Sequence, residues 1–503
     1  MSERSERTIG TATDLDPTWV DLASRAFGGS VLLANDETFA EKENLIIAAA
    51  PTFTPHTMGL RGQVYDGWET RRRRSPGEDW VILRLGVPGI VHRIVVDTAF
   101  FKGNFPTSCE VHACWLDGWP SADQVATHPD WISLTGRQEL VGHAENTLTV
   151  LAPVLAGHLR LTIHPDGGIA RLRAFGEVVA DPRRWVGLSV DLAAGENGGV
   201  VLDCSDRFYS PPQNAIAPGN AARMDQGWET RRRRDGGNDW ILLRPAVPGR
   251  VRQVVVDTTH FVGNAPGGVA MSALDAAGEW RPLLPRTSLT PDTRHWFGVE
   301  SGLDVDLIVR QVRVDLFPDG GLARIKLWGD PTTEASGVAA ARWWNLLPAP
   351  AAAAAVRSCC ASPGWAAALA AGRPYIDLDT VVAASDALLH QLDAAELATA
   401  LAAHPRIGER PTGTGAQAAA SRREQTGVGE DPELRAALEA GNREYEQRFG
   451  QVYLVRATGR SGPELLSLLN ERLTHTAAEE GLVVRRELAE ITALRLLRLW
   501  VAR

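Results

Sequence analysis

Lysine and cysteine are scarce in this sequence, and both shortages narrow the class of protein. Of its 503 residues only Lys42, Lys102 and Lys326 are lysine, so the basic residues are almost all arginine. The net charge of −9 gives no support to a nucleic-acid partner. The 5 cysteines are an odd number without CxxC or Cys/His metal spacing, so they indicate neither a disulfide framework nor a metal site, and a cytoplasmic location is expected.

Long apolar segments are missing as well. No stretch approaches the roughly 18 uninterrupted apolar residues of a membrane span, and the N-terminal MSERSERTIGTATDLDPTW lacks the apolar centre of a secretory signal. We therefore expect no membrane partner. A chain with 44% hydrophobic and 22% charged residues is typical of a folded protein, and its length predicts about three domains at about 150 residues each.

An internal duplication organises the first two thirds of the chain. Three motifs occur in the same order in two copies: GWETRRRR at 67–74 and 227–234, VVDTAFFKGN at 95–104 and VVDTTHFVGN at 255–264, and PDGGIARLRAFG at 165–176 and PDGGLARIKLWG at 318–329. Each copy has the size of one domain. We predict two tandem domains, the first repeat at 20–181 and the second repeat at 182–332.

Both repeats have the pattern of β-structure. Short runs rich in Val, Ile, Leu, Trp and Thr, such as WVILRLGV, alternate with clusters of Pro, Gly, Asp and Asn. This pattern predicts an all-β sandwich of jelly-roll type in each repeat. The Asp-Gly pair in the PDGG motif predicts that the last two strands of each repeat form a hairpin.

The composition changes after about residue 331, where alanine and leucine dominate. We predict a linker at 333–342 and an all-α domain at 343–503. Segments such as ELLSLLNERL place their leucines on one helical face, as a helix packed on a core requires.

The repeated arginine run has two interpretations. If it is extended, Arg71 and Arg73 share one face, and so do Arg231 and Arg233 in the second repeat. Guanidinium groups bind carboxylates through paired hydrogen bonds, which predicts a small anionic ligand in a cleft. The alternative is a charged edge strand that prevents aggregation.

Two histidines and a repeated aspartate are the other candidates in the β-region. His164 and His260 are suited to acid/base chemistry, but each is matched by phenylalanine in the other repeat. The mismatch indicates either one active and one degenerate repeat or ordinary polar positions. Asp97 and Asp257 recur at the same place in both repeats and are kept as candidates for a polar cleft.

These segments resemble those of allantoicase over roughly residues 20–332. The residues that carry the resemblance are GWETRRRR, FKGNFP and IHPDGGIARLRAFG. The resemblance implies hydrolysis of allantoate to ureidoglycolate and urea on a duplicated jelly-roll scaffold that often forms homo-oligomers. The alternative is a tandem jelly-roll ligand-binding module without hydrolase activity, since such sandwiches serve both purposes.

The helical region carries a His-Pro pair and a polar segment. Pro405 disfavours helical geometry at His404, which predicts a histidine at a helix end. Ser421, Glu424 and Gln425 share one face if their segment is helical, and together they would supply a carboxylate and hydrogen-bond donors. The alternative is a simple helix stop.

Residues 344–503 resemble the decarboxylase of 2-oxo-4-hydroxy-4-carboxy-5-ureidoimidazoline (OHCU) through WNLLP, HPRIG, SRREQ and ITALRLL. The resemblance implies formation of (S)-allantoin from OHCU with neither metal nor organic cofactor. It implies that His404 is the catalytic acid and that Glu424 holds it and the substrate. It also implies a pocket lined by Pro405, Ser421, Gln425, Tyr453, Leu454, Val455, Arg456 and Ala457. The sequence has FGQVYLV where some relatives have FGFPFV, so the lining at 451–453 departs from the pattern.

Arg495 is a further candidate for substrate binding. It lies four residues after Ile491, on the apolar face of the last predicted helix, where a buried arginine requires an anion. The alternatives are a snorkelling side chain or a structural ion pair, with Arg460 and Arg498 as competing positions.

Overall fold

The structure is a computed structural model that describes residue 16 and residues 18–407 and 431–501. The chain forms two compact units. One holds the chain up to Asp181 together with Leu188–Ala335, and the other holds Pro182–Gly187 together with the chain from Ser336 onward. The first unit is built of β-sheets and the second of helices, so the predicted class of two β domains and an α domain is confirmed.

The first repeat contains thirteen strands and one short α-helix, α1 (Ala122–Ala126), among the residues that the structure describes. The strands are β1 (Val20–Asp21), β2 (Ser30–Ala34), β3 (Met58–Gly59), β4 (Gly62–Gln63), β5 (Trp68–Glu69), β6 (Asp79–Asp97), β7 (Ser108–Cys114), β8 (Ile132–Ser133), β9 (Gln138–Glu139), β10 (Glu145–Leu148), β11 (Val154–His164), β12 (Gly168–Ile169) and β13 (Arg171–Val178).

The second repeat follows with twelve strands in the same described range. They are β14 (Val190–Asp191), β15 (Val200–Cys204), β16 (Trp228–Glu229), β17 (Asp239–Arg244), β18 (Gly249–Asp257), β19 (Gly268–Leu274), β20 (Trp280–Ser288), β21 (Arg294–Phe297), β22 (Ile308–Val309), β23 (Gln311–Phe317), β24 (Gly321–Leu322) and β25 (Arg324–Pro331).

Two sheet layers form each sandwich, and one long strand joins them in the first repeat. The N-terminal half of β6 pairs with β2 and β11, and its C-terminal half pairs with β10 and β13. In the second repeat the matching strand is divided into β17 and β18, which belong to two separate five-stranded sheets. Pro245 stands where the first repeat has Leu85, and a proline without an N–H ends the strand there.

The predicted hairpin at PDGG was wrong. Strands β11 and β13 do not pair with each other, because both pair with β6 in different layers, and β23 and β25 likewise pair with β17 and β18. The motif instead carries the chain from one layer to the other. Gly167 adopts a φ of 142°, and Gly320 adopts 132°, so the glycine is required for a crossing rather than for a two-residue turn.

The core of the first repeat lies between the layers. It is built from apolar side chains of both, among them Trp68, Leu83, Val96, Leu161 and Leu172, which are fully buried. Each such side chain contributes about 1.5–3 kcal/mol by leaving water. The alternation of buried and half-buried residues along β6 confirms that it turns one face to this core.

The second unit is helical. Its helices among the described residues are α2 (Thr333–Leu346), α3 (Ala349–Val356), α4 (Pro363–Ala371), α5 (Leu378–His390), α6 (Ala394–Ala402), α7 (Pro432–Phe449), α8 (Gly462–Arg472) and α9 (Ala477–Trp500). Residues 333–342, expected as a linker, lie in α2. Thr476 and Glu479 form a capping box that starts α9, which packs along α5. None of the described helices has both the length and the apolar character that a membrane span requires.

Candidate functional site

The arginine run of the first repeat lines an open cavity of about 400 Å³. The run continues from β5 without regular secondary structure, and the backbone N–H of Arg73 donates to Asp166 Oδ2 (2.8 Å). The cavity is lined by Asn35, Asp36, Arg71, Arg72, Arg73, Arg74, Ser75 and Asp79. All four arginines of one run therefore line a single cavity together with two aspartates.

The two carboxylates divide the arginines into paired and unpaired groups. Arg71 Nε lies 3.0 Å from Asp36 Oδ2, and Arg73 Nη1 lies 2.6 Å from the buried Asp79 Oδ1. Arg72 and Arg74 are exposed, and neither forms an ion pair with a residue that the structure describes. Alternate arginines of the run thus differ in their surroundings, as predicted. The predicted anion-binding residues Arg71 and Arg73 are paired with aspartates, however, and the unpaired residues are Arg72 and Arg74.

The second repeat reproduces the same ion pairs. Arg231 Nε lies 2.7 Å from Asp206 Oδ2, and Arg233 Nη1 lies 3.0 Å from Asp239 Oδ1. The run in each repeat is thus fastened to the sandwich by the same two contacts, which is a structural role.

His164 lies at the edge of this arrangement in the first repeat. Its Nδ1 is 3.4 Å from Glu78 Oε2, and its Nε2 is 3.5 Å from Glu110 Oε1, with 11% of the side chain exposed. Glu78 directly precedes the cavity residue Asp79, and His164 is two residues before the Asp166 that holds the run. The structure therefore brings His164 close to the arginine cavity, in a setting with two carboxylates.

The second repeat has no equivalent of this cluster. Phe317 replaces the histidine and packs under the Arg286 guanidinium at 4.0 Å from the ring centre. The positions of the two glutamates hold Asn238 and Ala270. Among the described residues, the first repeat therefore has a histidine near its arginine run at a position where the second repeat has phenylalanine.

His260 lies at a different place in its repeat. Its backbone adopts a φ of 74°, its N–H donates to Asp292 Oδ1 (2.7 Å), and its Nε2 is 3.1 Å from the Ala221 carbonyl. Its polar contacts in the described part of the chain are thus with loop residues, and the structure does not bring it to the arginine run.

Asp97 and Asp257 hold turns at the ends of their strands. Asp97 Oδ1 accepts the N–H of Ala99 (2.8 Å), and Asp257 accepts the N–H of Thr259 (2.9 Å) and Arg294 Nε (3.0 Å). Burial by itself would raise the pKa of Asp257, but the Thr259 hydrogen bonds and Arg294 lower it below its ordinary value. Both aspartates are buried parts of the scaffold.

One pair of residues in the repeats was missed by the sequence analysis. Asn104 Nδ2 donates to Glu69 Oε1 (2.6 Å), and Asn264 donates to Glu229 Oε1 (2.5 Å). Burial raises the pKa of Glu69, and the Asn104 hydrogen bond partly opposes this. The signal was available, since both residues of the pair belong to duplicated motifs.

No three His, Cys, Asp or Glu side chains in the described ranges are placed to hold a metal ion.

The helical unit contains a second candidate site, a cavity around His404. It is lined by His404, Pro405, Ile407, residues 453–458, Ile491 and Leu494. The structure thus brings together the His-Pro pair and the backbone segment expected around it. Ser421, Glu424 and Gln425 lie outside the described residues.

His404 is buried and neutral in this cavity. It follows α6, where its N–H donates to the Leu401 carbonyl (2.9 Å), and its side chain is almost fully covered. Burial, with a smaller effect of the Arg495 charge, lowers its pKa to about 3. Its Nε2 makes no hydrogen bond with a residue that the structure describes.

Arg495 is the arginine whose charge contributes to the lowered pKa of His404. It is 5% exposed on α9, in agreement with the apolar face predicted for it. Arg498 is exposed, and Arg460 Nη1 lies 3.7 Å from Glu487. Burial beside the histidine therefore favours Arg495 over both competitors as an anion-binding residue.

Two helices hold the segment that lines the cavity. Arg472 Nη1 on α8 donates to the Leu454 carbonyl (2.6 Å), and the Arg456 N–H donates to Glu487 Oε2 on α9 (2.7 Å). These two backbone groups are therefore engaged by the protein and are not available to a substrate. Arg472 and Glu487 are buried positioning residues that sequence reasoning did not find.

Comparisons with known proteins agree with the two-part organisation. The model of the allantoicase repeat matches residues 20–179 and 190–332, and the model of OHCU decarboxylase matches residues 345–497. A "Probable allantoicase" of Nocardia farcinica is 52% identical over 62% of this chain and 94% of its own length. The "Allantoicase" of Dictyostelium discoideum is 36% identical over 61% of this chain and 86% of its own length. A solved "Structure of allantoicase" superposes with a TM-score of 0.54 at 32% identity, covering 62% of this chain and 93% of that one.

Proposed function

The chain belongs to the allantoicase family, and from this membership we propose that its two repeats hydrolyse allantoate to ureidoglycolate and urea. Residues 345–497 are an OHCU decarboxylase domain, which forms (S)-allantoin. The chain is therefore a bifunctional enzyme of urate breakdown. The ligand-binding module without hydrolase activity is not favoured, because relatives at 36–52% identity are named allantoicase.

The arginine cavity of the first repeat is our proposed binding site for allantoate. The observation that supports it is the pair Arg72 and Arg74, two exposed guanidinium groups without a carboxylate partner in a cavity whose other arginines are paired. Guanidinium groups are well suited to the single carboxylate of allantoate. His164 at the edge of the cavity adds a titratable group that the second repeat lacks.

A matched pair of double variants tests this assignment. We expect Arg72→Gln with Arg74→Gln to raise the KM for allantoate by about 10-fold to 100-fold, since a hydrogen bond to a charged group contributes about 1.5–3 kcal/mol. The same changes at Arg232 and Arg234 are the control and should leave KM within about 3-fold. An equal effect of both double variants would contradict the assignment to the first repeat.

Urea release by the unmodified chain tests the function itself. A chain that binds a ligand tightly but releases no urea from allantoate would be the tandem binding module instead.

In the decarboxylase domain we propose that Arg495 binds a substrate carboxylate beside His404. Burial and the Arg495 charge lower the pKa of His404 to about 3, so its imidazole by itself holds no proton to donate near neutral pH. A bound carboxylate would offset the Arg495 charge and favour the imidazolium, which raises the pKa of His404. As carbon dioxide leaves, its bonding electrons stay on the substrate carbon, and the histidine donates its proton there.

Replacement of His404 by alanine tests this mechanism. We expect the variant to lose formation of optically active allantoin from freshly generated urate-oxidation products while urea release from allantoate is kept. Retained allantoin formation would contradict the role of His404, and loss of both activities would indicate misfolding.

Three further features are proposals. All five cysteines are buried and none forms a disulfide, which supports a cytoplasmic location. Assembly into homo-oligomers and catalysis without a cofactor are implied by the families and are open to measurement. The two reactions are not consecutive, because a separate amidohydrolase must open allantoin between them, so direct channelling is not implied.

A further inference from the structure

Glu69 is a buried carboxylate with a single hydrogen bond. The residue is 8% exposed, and Asn104 Nδ2 donates to Oε1 at 2.6 Å. No described residue donates a hydrogen bond to Oε2, and this oxygen is not among the polar atoms that the protein closes off from solvent. A carboxylate has about four acceptor positions, so Oε2 is free to accept a hydrogen bond from water or a substrate.

The fold does not need this carboxylate to hold the neighbouring loop. The Gly168 N–H donates to the Asn104 carbonyl (2.7 Å), and the Phe101 N–H donates to the Thr98 carbonyl (3.0 Å), so backbone contacts already fix both ends of the segment. The unused oxygen is therefore not explained by loop anchoring.

The position of Glu69 in the chain brings it near the arginine cavity. It precedes Arg71 by two residues, and two Cα atoms so related are at most about 7 Å apart. Thr70 between them is tied to Gly167, since the Gly167 N–H donates to its Oγ1 (3.1 Å). A substrate of a few atoms that meets the arginine cavity is thus within reach of Glu69.

We propose that Glu69 is the proton-transfer residue of allantoate hydrolysis and that Asn104 positions it, a proposal that rests on the proposed hydrolase function. The water oxygen forms a bond to the central carbon of allantoate while its proton passes to Glu69 Oε2. The bond from that carbon to one ureido nitrogen breaks, and Glu69 returns the proton to this nitrogen. Urea leaves, ureidoglycolate remains, and the carboxylate is regenerated.

The two repeats differ at this pair in a way that favours the first. Glu229 and Asn264 make the same contact, but Glu229 is only partly buried and Asn264 also lies 3.7 Å from the Met224 sulfur. Burial raises the pKa of Glu69 above its ordinary value, and the Asn104 hydrogen bond opposes this in part, so the carboxylate binds a proton more readily than an exposed glutamate does.

The test compares Glu69→Gln with Glu229→Gln in the full chain. Glutamine keeps the size of the side chain and an oxygen for the Asn104 N–H, so the first variant should melt within a few degrees of the unmodified protein. We expect its kcat for urea release to fall by about 10²-fold to 10⁴-fold, the range of general acid–base catalysis. Glu229→Gln should stay within about 3-fold. An active Glu69→Gln, or an equal loss in both variants, overturns the proposal.

Asn104→Ala separates positioning from stability. Removing the N–H takes away the contact that lowers the pKa of Glu69, so the carboxylate gains its proton at higher pH and the acid limb of kcat/KM moves upward in pH. A purely structural asparagine would lower activity without moving that limb, which overturns its role. Absence of urea release from the unmodified chain refutes the hydrolase function, whereas an active unmodified chain with an active Glu69→Gln refutes only this proposal.

Discussion

Replacing Glu480 by glutamine should strongly destabilise the decarboxylase domain. Glu480 is fully buried on α9, and its Oε1 accepts Arg472 Nε (2.9 Å) while its Oε2 lies 2.8 Å from His475 Nδ1. The Tyr445 hydroxyl also donates to this carboxylate. Arg472 is 4% exposed, and its guanidinium lies 4.8 Å from the centre of the Tyr453 ring. The substitution leaves this cation buried without its counter-ion.

The size of the effect follows from that burial. Removing one partner of a buried ion pair costs about 3–5 kcal/mol, because the remaining charge cannot return to water. In a domain of this size 1 kcal/mol lowers the melting temperature by about 2–4 °C, so a fall of about 6–20 °C is expected. Arg472 also donates to the Leu454 carbonyl, so the cavity lining should loosen as well.

The assay uses the two activities of the chain as local probes, since a chain of several domains does not unfold in one step. Samples of the Glu480→Gln variant are heated, and the loss of allantoin formation is followed beside urea release. Urea release should keep its temperature dependence. Glu479→Gln is the matched control, because this exposed residue caps α9 and glutamine can take its place. A decrease of less than about 2 °C in the melting temperature of the Glu480→Gln variant would refute the reasoning that Arg472 becomes an uncompensated buried charge.

Three further changes have expected outcomes. The pKa of His404 is lowered from 6.5 to about 3, so the unfolded state takes up a proton below pH 6.5 that the folded state does not. The folded state therefore loses about 1.4 kcal/mol of stability for each pH unit below 6.5. Melting curves at pH 7 and about pH 5.5 should show this loss, and His404→Gln should remove it. Gly168→Ala places a Cβ 2.1 Å from the Phe101 ring and should cost about 1–3 kcal/mol in the melting of the hydrolase activity. Asp79→Asn weakens the contact with Arg73 and should cost about 1–3 kcal/mol in the same assay, so an unchanged melting temperature would refute a structural role for that ion pair.

The fold class was predictable because its signals are local and repeated. Strand patterns, alanine-rich helices and two copies of several motifs are each visible within short segments. The prediction of a hairpin at PDGG was wrong because it also depended on a local signal alone. An Asp-Gly pair permits positive φ at Gly167, but whether the next strand pairs with β11 or crosses to the other layer depends on β6, which lies about seventy residues earlier.

The partners of the arginine run were not predictable from the run itself. Alternation correctly separates Arg71 and Arg73 from their neighbours, but it does not reveal that Asp36 and Asp79 reach them from other parts of the sandwich. The burial of Arg495 in the helical unit, by contrast, could be predicted, because a polar residue on an otherwise apolar helical face is visible in the sequence alone. Buried single residues can thus be found from periodicity, whereas pairs that join distant segments cannot.

Comparison of the two repeats separates scaffold from chemistry. A duplicated fold needs its structural contacts twice, and the aspartate contacts of the arginine run are indeed present in both repeats. A group that one repeat has lost is not needed by the fold, which leaves chemistry as its role, whereas a group that both repeats retain has to be distinguished by its surroundings. His164 meets two glutamates in the first repeat, whereas Phe317 occupies its place in the second. Glu69 is retained as Glu229 but is more deeply buried, and both comparisons support our proposal that hydrolysis takes place in the first repeat.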